Sequence, residues 1–344
     1  MRRPGMAELA AAAGVSVATV DRALNGRQKV QPDTLVHLAA VALAIGHPAA
    51  GRLSGNVAPG PDRPVLRIGV VLHKQGQEFY KAFAEALHRA VSAETRVTGQ
   101  LVLEFSSSQA PSEMAGLMRS MLGRCDVLAA TAVNHPEVTA AVEDLAAQGL
   151  SVFSLLSDFA PGVRAGYLGL DNLKVGRTAG WMLAQAARQT GPVAIFVGGH
   201  RWDGHELRDQ GFRAALRSHA PHLSVLDTLV NLETRTLTYD ATMGLVRGHP
   251  DLRGIYVAGG GMEGAIAALR DAKAGGRVAL IVSALTPDSR RAVKEGLVTL
   301  VIDTPLDDLC RDLIARMAQT GRSGTSGRPT STFLSPALTL PEML

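Results

Sequence analysis

Several features are scarce in this 344-residue sequence, and each scarcity removes a class of protein. There are two cysteines, Cys125 and Cys310, too few for a disulfide framework and without metal-ligand spacing, so both read as buried reduced thiols. No apolar run approaches the roughly 20 residues that cross a bilayer, and no basic start leads into a short apolar run and cleavage site. A cytoplasmic protein is expected on that basis. Neither a G-x-S-x-G elbow, nor a phosphate-binding P-loop, nor a zinc-protease motif is present, so no catalytic residue and no enzyme activity is expected. No cofactor and no bound metal is expected either.

What is present is ample apolar material, 46% of residues, spread over a chain long enough for two or three domains. The formal net charge is +4, and residues 1–64 carry +3 of it, with Arg2, Arg3, Arg22, Arg27, Lys29, Arg52 and Arg63 set against Glu8, Asp21, Asp33 and Asp62. A basic N-terminal end of this kind suits a polyanionic partner.

Residues 1–47 show helical spacing only. Met6–Ala13 can form one helix, Gly14 permits the positive φ that ends it, and Ser16 is a good N-cap for a second helix over Val17–Leu24. Val20 and Leu24 would face inward. A third helix would start at Pro32 and bury Leu35, Leu38 and Ala42. "SGNVAPGPDRP", Ser54 to Pro64, reads as a Gly/Pro-rich linker unable to hold a regular element.

From Val65 onward apolar runs alternate with helical segments: "VLRIGVVL", "LVLEF", "DVLAAT", "SVFSLL", then "GYLGL", "PVAIFVGG", "LSVLDTLV", "GIYVAGG", "VALIVSA" and "LVTLVI". Helical stretches at Ser112–Leu122, Pro136–Gln148, Leu173–Arg188, His205–Ser218, Met262–Ala274 and Leu306–Ala318 separate them. This βα alternation predicts an α/β fold of two doubly wound parallel-sheet lobes. "GRSGTSGRPTS", Gly321 to Ser331, is a flexible stretch before a last extended segment, "TFLSPALTL". The expected division is a headpiece over 1–47, a hinge over 48–64 and a core over 65–344. The lobes are set at about 65–160 plus 288–320 and about 161–287 plus 321–344.

"MAELAAAAGVSVATVDRALNGRQKV" resembles the helix-turn-helix headpiece of the LacI/GalR family of transcription regulators, and the βα series is similar to that family's periplasmic-binding-protein type I effector domain. "YLGLDNLKVGRTAG" and "LRDQGFRAAL" carry the second similarity. The resemblance implies an all-α DNA-binding headpiece, a double-stranded DNA operator, a homodimer, and a small-molecule effector such as a sugar, sugar acid or polyol. It further implies base reading by Val17, Ala18 and Arg22, and phosphate contacts from Ser16, Thr19 and Asn25. Asp21 stands where many members have serine and would either repel phosphate or orient Arg22. Leu53 is the counterpart of a hinge leucine wedged into the minor groove. The resemblance therefore implies a ligand-responsive, DNA-binding regulator, a repressor of carbohydrate or related small-metabolite genes. The alternatives are a transporter-type solute-binding protein and a nucleotide-dependent α/β enzyme.

Ligands of open parallel sheets sit outside the carboxyl ends of the strands. The polar residues expected there, and assigned to ligand binding, are His73, Lys74, Glu78, Tyr80, Asn134, Ser157, Asp158, Arg201, His205, Glu206 and Asp303. Gly259, Gly261 and Gly264 have G-x-G-x-x-G spacing, but no acidic residue ends the next strand, so a close-packed or ligand-facing turn is the plainer reading. His200, Asp203, His205 and Glu206 lie close in sequence without a metal-ligand spacing. Sugar-binding relatives tend to carry polar residues where this chain has Gly261, Met262, Ser283 and Ala284, which leaves the effector's class open.

Overall fold

The computed structural model describes residues 4–25, 30–45, 47–56, 63–323 and 330–344. The chain forms two compact units, one of Met1–Leu66 with Arg89–Gln100 and the other of Arg67–His88 with Leu101–Leu344.

The described residues from 4 to 56 of the first unit form four helices: α1 (Met6–Ala12), α2 (Val17–Asn25), α3 (Pro32–Ala44) and α4 (Ala50–Asn56). Gly14, at φ +65°, ends α1 as its freedom from a Cβ allows, and the Ser16 hydroxyl caps α2 by accepting from the Thr19 amide at 3.1 Å. Val20 and Ala23 of α2 pack with Leu9, Ala10, Leu38 and Ala42, while Leu24 is only partly covered.

Two observations bear on the expected hinge. Leu53 is fully buried in this helical core, so it cannot serve as a minor-groove wedge without leaving its packing partners. The hinge is also less irregular than its composition implies, because α4 runs through Ser54 to Asn56 before residues 57–62, which lie outside the described residues. Covering Leu53 and Ala50 with the bundle outweighs the helix penalty of Gly51 and Gly55. Gly26, Arg27 and Lys29 of the headpiece motif also fall outside the described residues.

Strands and helices alternate through the rest: β1 (Val65–His73), α5 (Glu78–Ala93), β2 (Thr98–Ser106), α6 (Pro111–Ser120), β3 (Val127–Ala130), α7 (Pro136–Ala147), β4 (Val152–Leu155), β5 (Gly166–Leu170) and α8 (Asn172–Ala186). Next come β6 (Gly191–Val197), α9 (Asp203–His219), β7 (Leu223–Val225), β8 (Leu229–Val230), α10 (Arg235–Gly248), β9 (Gly254–Val257) and α11 (Met262–Asp271). The chain ends with β10 (Ala279–Val282), α12 (Pro287–Lys294), β11 (Leu300–Asp303), α13 (Leu306–Ser323), β12 (Thr330–Leu334) and β13 (Ala337–Thr339). This is an α/β fold with parallel-sheet lobes. One sheet has the order β12-β5-β4-β3-β1-β2, and the other β13-β11-β10-β9-β6-β7, with β8 paired to β6.

Burial on both faces explains the near-continuous apolar runs of the strands. In β9 Ile255 and Val257 join one cluster while Tyr256 joins the other; Phe196 and Ile195 of β6 divide in the same way. Sheet membership departs from the expected lobes at three strands. β5 pairs with β4 and β12 in the first sheet, and β11 pairs with β10 in the second. Apolar periodicity reveals a strand but not the sheet it enters, which its hydrogen-bond partners decide. The last segment serves both sheets: Ser335 and Pro336 separate β12, on the first, from β13, antiparallel to β11 on the second. α13 extends to Ser323 into the stretch expected to be flexible, and residues 324–329 lie outside the described residues.

Candidate ligand-binding cleft

Each sheet reverses its strand order beside its first strand, β1 lying between β2 and β3, and β6 between β7 and β9. At such a point adjacent loops diverge to opposite faces and leave a crevice at the carboxyl ends of the strands. The loops of both sheets line one cavity of about 460 Å³ in the second unit, a volume suited to a small molecule. The first sheet contributes Gln77 to Tyr80 after β1, Thr131 after β3, Leu156 and Ser157 after β4, and Asn172 at the start of α8. The second contributes Trp202, His205 and Arg208 after β6, Glu233 after β8, Gly259 to Glu263 after β9, and Ser283 and Ala284 after β10.

Glu233 joins the two sets. The backbone reaches it through two residues in the left-handed region, Leu232 at φ +49° and Glu233 at φ +54°, which turn its carboxylate inward. That carboxylate accepts from Lys74 Nζ at 3.1 Å, Gln109 Nε2 at 3.1 Å and the Gly260 amide at 3.2 Å. Lys74 Nζ also donates to the Leu232 carbonyl at 2.7 Å, and Gln77 Nε2 to the Glu233 carbonyl at 3.0 Å. Three side chains from the first sheet's loops thus grip one loop of the second. Asn134 adds a separate bridge, its side-chain amide donating to Asp203 at 2.9 Å. Burial works to raise the Glu233 pKa, but His205, Lys74, His73 and the Gly260 amide override it and hold the value at about 2.

The two histidines are neutral for a different reason. His73 lies edge-on to Tyr80 and Trp202, with ring centroids 5.4 and 4.9 Å away, and neither of its ring nitrogens has a partner. His205 Nδ1 accepts from the Gly198 amide at 3.0 Å, which leaves the proton on Nε2, 3.7 Å from Glu233. Burial pushes each pKa down to about 4. An unfolded chain takes up these protons as pH falls below about 6.5, whereas the folded one resists until about 4. Their contribution is therefore complete above pH 6.5 and is lost as pH falls through that window. Between pH 7 and pH 5, urea denaturation should show about 2 kcal/mol of lost stability for each histidine. His73→Phe, which keeps an aromatic ring between Tyr80 and Trp202, should remove one share of that loss; an unchanged decline would contradict the assignment.

Arg208 is held by two neutral oxygens. Its Nε donates to Asn172 Oδ1 at 2.8 Å and its Nη1 to the Ala258 carbonyl at 2.6 Å. Asn172 is fixed in turn by donating to the Leu156 carbonyl at 3.0 Å. This places a guanidinium in the cavity at a set angle.

Of the residues expected to bind ligand, Glu78, Tyr80, Ser157 and His205 line the cavity. Four others sit around it: His73 packs beneath Tyr80 and Trp202, Lys74 holds Glu233, Asn134 holds Asp203, and Asp303 precedes the lining Thr304. Burial raises the Asp303 carboxyl to about 6. Asp158, Arg201 and Glu206 do not line it. Asp158 is occupied by Arg164 at 2.7 Å and Ser154 at 2.7 Å; Glu206 bonds His200 at 2.7 Å; Arg201 is exposed. Trp202, Arg208 and Glu233 were missed, since the first two stand at or inside a helix and the third follows a two-residue strand. The glycine motif is both cavity-facing and close-packed, because Gly261, at φ +85°, lines the cavity and Gly264 abuts the Arg235 backbone.

In the first unit the cap residue Ser16 and, on α2, Val17, Ala18, Arg22 and Asn25 are exposed, with Thr19 and Asp21 partly covered. Arg22 folds back onto the Ala18 carbonyl at 3.2 Å and the Thr19 hydroxyl at 3.3 Å. Asp21 accepts from Asn25 at 2.7 Å instead of from Arg22.

The family pattern described as a periplasmic binding protein domain matches residues 68–319. No curated protein matches the chain. Among solved structures, an ABC transporter solute-binding protein from Actinobacillus succinogenes 130z with bound D-allose has a TM-score of 0.73 and 19% identity, over 82% of this chain and 99% of that one. Another from Agrobacterium vitis, bound with alpha-D-tagatopyranose, has a TM-score of 0.73 and 18% identity, over 80% and 95%. GanP, a glucose-galactose binding protein from Geobacillus stearothermophilus, has a TM-score of 0.73 and 15% identity, over 82% and 99%. At these identities the likeness establishes the fold.

These findings overturn the expectation of a DNA-binding, effector-responsive transcription regulator: the similar structures are sugar-transport solute-binding proteins, and the matched region starts after the helices that carried the regulator motif. The cytoplasmic placement is corrected with it, because the matched family is one of periplasmic binding proteins. The alternative of a transporter-type solute-binding protein is the better supported.

Proposed function

The chain belongs to the periplasmic binding protein domain family, and from that premise we propose that it is a solute-binding protein whose two parallel-sheet lobes close on a small carbohydrate. The observation that carries this is the joint cavity at both strand-order reversals, bridged from Lys74, Gln77 and Gln109 to Glu233. The first lobe is built on β1 to β5 with β12, and the second on β6 to β11 with β13. Phe79, Tyr80 and Trp202 offer apolar faces for the C–H side of a sugar ring. Asn172, Arg208, Ser157 and Ser283 supply donors and acceptors for hydroxyls. The solute stabilises the closed arrangement only by the extra contacts it makes there, so the Glu233 bridges and the solute act together on one equilibrium. Similar solved proteins hold D-allose and alpha-D-tagatopyranose, which supports the carbohydrate class.

The test is a melting-temperature screen against hexoses, pentoses, sugar acids and polyols. A ligand at a hundred times its Kd adds about 2.7 kcal/mol, which raises the melting temperature by several degrees. If no member of such a panel raises it, the carbohydrate assignment fails.

A further inference from the structure

Most of the charges around the cavity are paired. Lys74 pairs with Glu233 at 3.1 Å, Lys81 with Glu78 at 2.8 Å, and Arg291 with Asp288 at 2.6 Å. Burial raises the Glu263 carboxyl, an effect that Arg235, at the exposed rim, only partly offsets. Arg208 has no such partner: it is half-buried, its two acceptors are the uncharged oxygens of Asn172 and Ala258, and among the described residues no carboxylate forms an ion pair with it. A guanidinium stays protonated in any protein environment, so a partly desolvated one without a counter-charge is unsatisfied electrostatically.

A second feature points the same way. Thr131, a lining residue from the first sheet, is 1% exposed, and its buried hydroxyl has no hydrogen-bond partner. Buried hydroxyls are ordinarily bonded, so this one, beside the cavity, is left with an unmet hydrogen bond.

We infer that the solute is a monocarboxylated sugar, an aldonate or uronate, whose carboxylate sits against Arg208 while its hydroxyls take the uncharged polar groups of the cleft. This rests on the carbohydrate reading above and narrows it. A single carboxylate fits one guanidinium in strength and planarity. A sugar phosphate, with nearly twice the charge, would meet one unpaired cation and the carboxylates of Glu233 and Glu263.

Calorimetric titration of the full chain with matched pairs tests it: D-glucose and D-glucuronate, D-galactose and D-galacturonate, each hexose's aldonate, and hexanoate as a carboxylate without hydroxyls. For the stereochemistry that binds, the acid should bind at least about ten-fold more tightly than the neutral sugar. Arg208→Gln should bring that ratio close to one, and Arg208→Lys, which keeps the charge, should retain most of it. Melting curves of both variants establish that they fold, and the wild-type ratio stands as evidence even where one does not. A neutral sugar binding as tightly as its acid, or Arg208→Gln weakening both alike, overturns the carboxylate inference and leaves the carbohydrate reading standing. Hexanoate binding as tightly as the sugar acids does the reverse. Binding of none of them overturns both.

Discussion

Gly176→Val should unfold or nearly unfold the second unit, at a cost of more than about 3 kcal/mol. α8 and α9 approach each other backbone to backbone along a row of glycines. A Cβ on Gly176 would overlap the Arg208 carbonyl, one on Gly180 would lie 2.6 Å from the Phe212 carbonyl, and one on Gly211 would overlap the Leu173 carbonyl. None of these obstacles is a flexible side chain, so relief requires the helices to separate. That separation would also pull Arg208 from Asn172, the contact that fixes the guanidinium in the cavity. Gly116→Ala is the control: Gly116 is exposed inside α6 with nothing near its missing Cβ, and the substitution should be neutral or stabilising by up to about 1 kcal/mol. Denaturant unfolding of both variants decides the matter, and equal, small effects would contradict the close packing.

Glu233→Ala should be the most damaging single change to the cleft. It leaves Lys74, whose side chain is 18% exposed, with only the Leu232 carbonyl, and it strips the acceptor from Gln109 and the Gly260 amide. Removing one member of a buried pair typically costs about 3–5 kcal/mol. Because the bridges join two sheets, much of that cost should appear as opening, which rehydrates Lys74. Solute affinity should then fall in proportion to the closed fraction. A double-mutant cycle isolates the term: Glu233→Leu with Lys74→Met should be less harmful than the sum of the single changes, by about 1 kcal/mol or more. Additive losses in melting curves would mean that the bridge carries no coupling.

Helices were legible wherever the 3.6-residue apolar spacing was uninterrupted, as at Pro136–Ala147, expected to run one residue further. The strands were legible for the same reason, as runs too short and too apolar for anything else. Their assignment to sheets was not, since β5 and β11 enter their sheets through pairings between distant residues. At the cleft, the rule that ligands sit at strand ends found Tyr80, Ser157 and His205 but also Asp158, and only the fold shows that Arg164, six residues on, has already claimed that carboxylate. Glu233 was hidden because its position depends on two left-handed backbone residues that no apolar pattern marks. Arg208 was hidden because it stands inside a helix, where an arginine more often faces solvent.

The central claim, that the cavity between the two sheets takes a carbohydrate, is open to one direct optical measurement. The chain has two tryptophans: Trp202 lines the cavity at 6% exposure, and Trp181 stands on the outer face of α8 at 46%. In a Trp181→Phe background all tryptophan emission comes from Trp202. Titration with the sugar or sugar acid that raises the melting temperature should shift that emission along a single-site saturation curve, with a midpoint equal to the calorimetric Kd. Emission that stays constant through saturating ligand would place the binding site elsewhere and contradict the account.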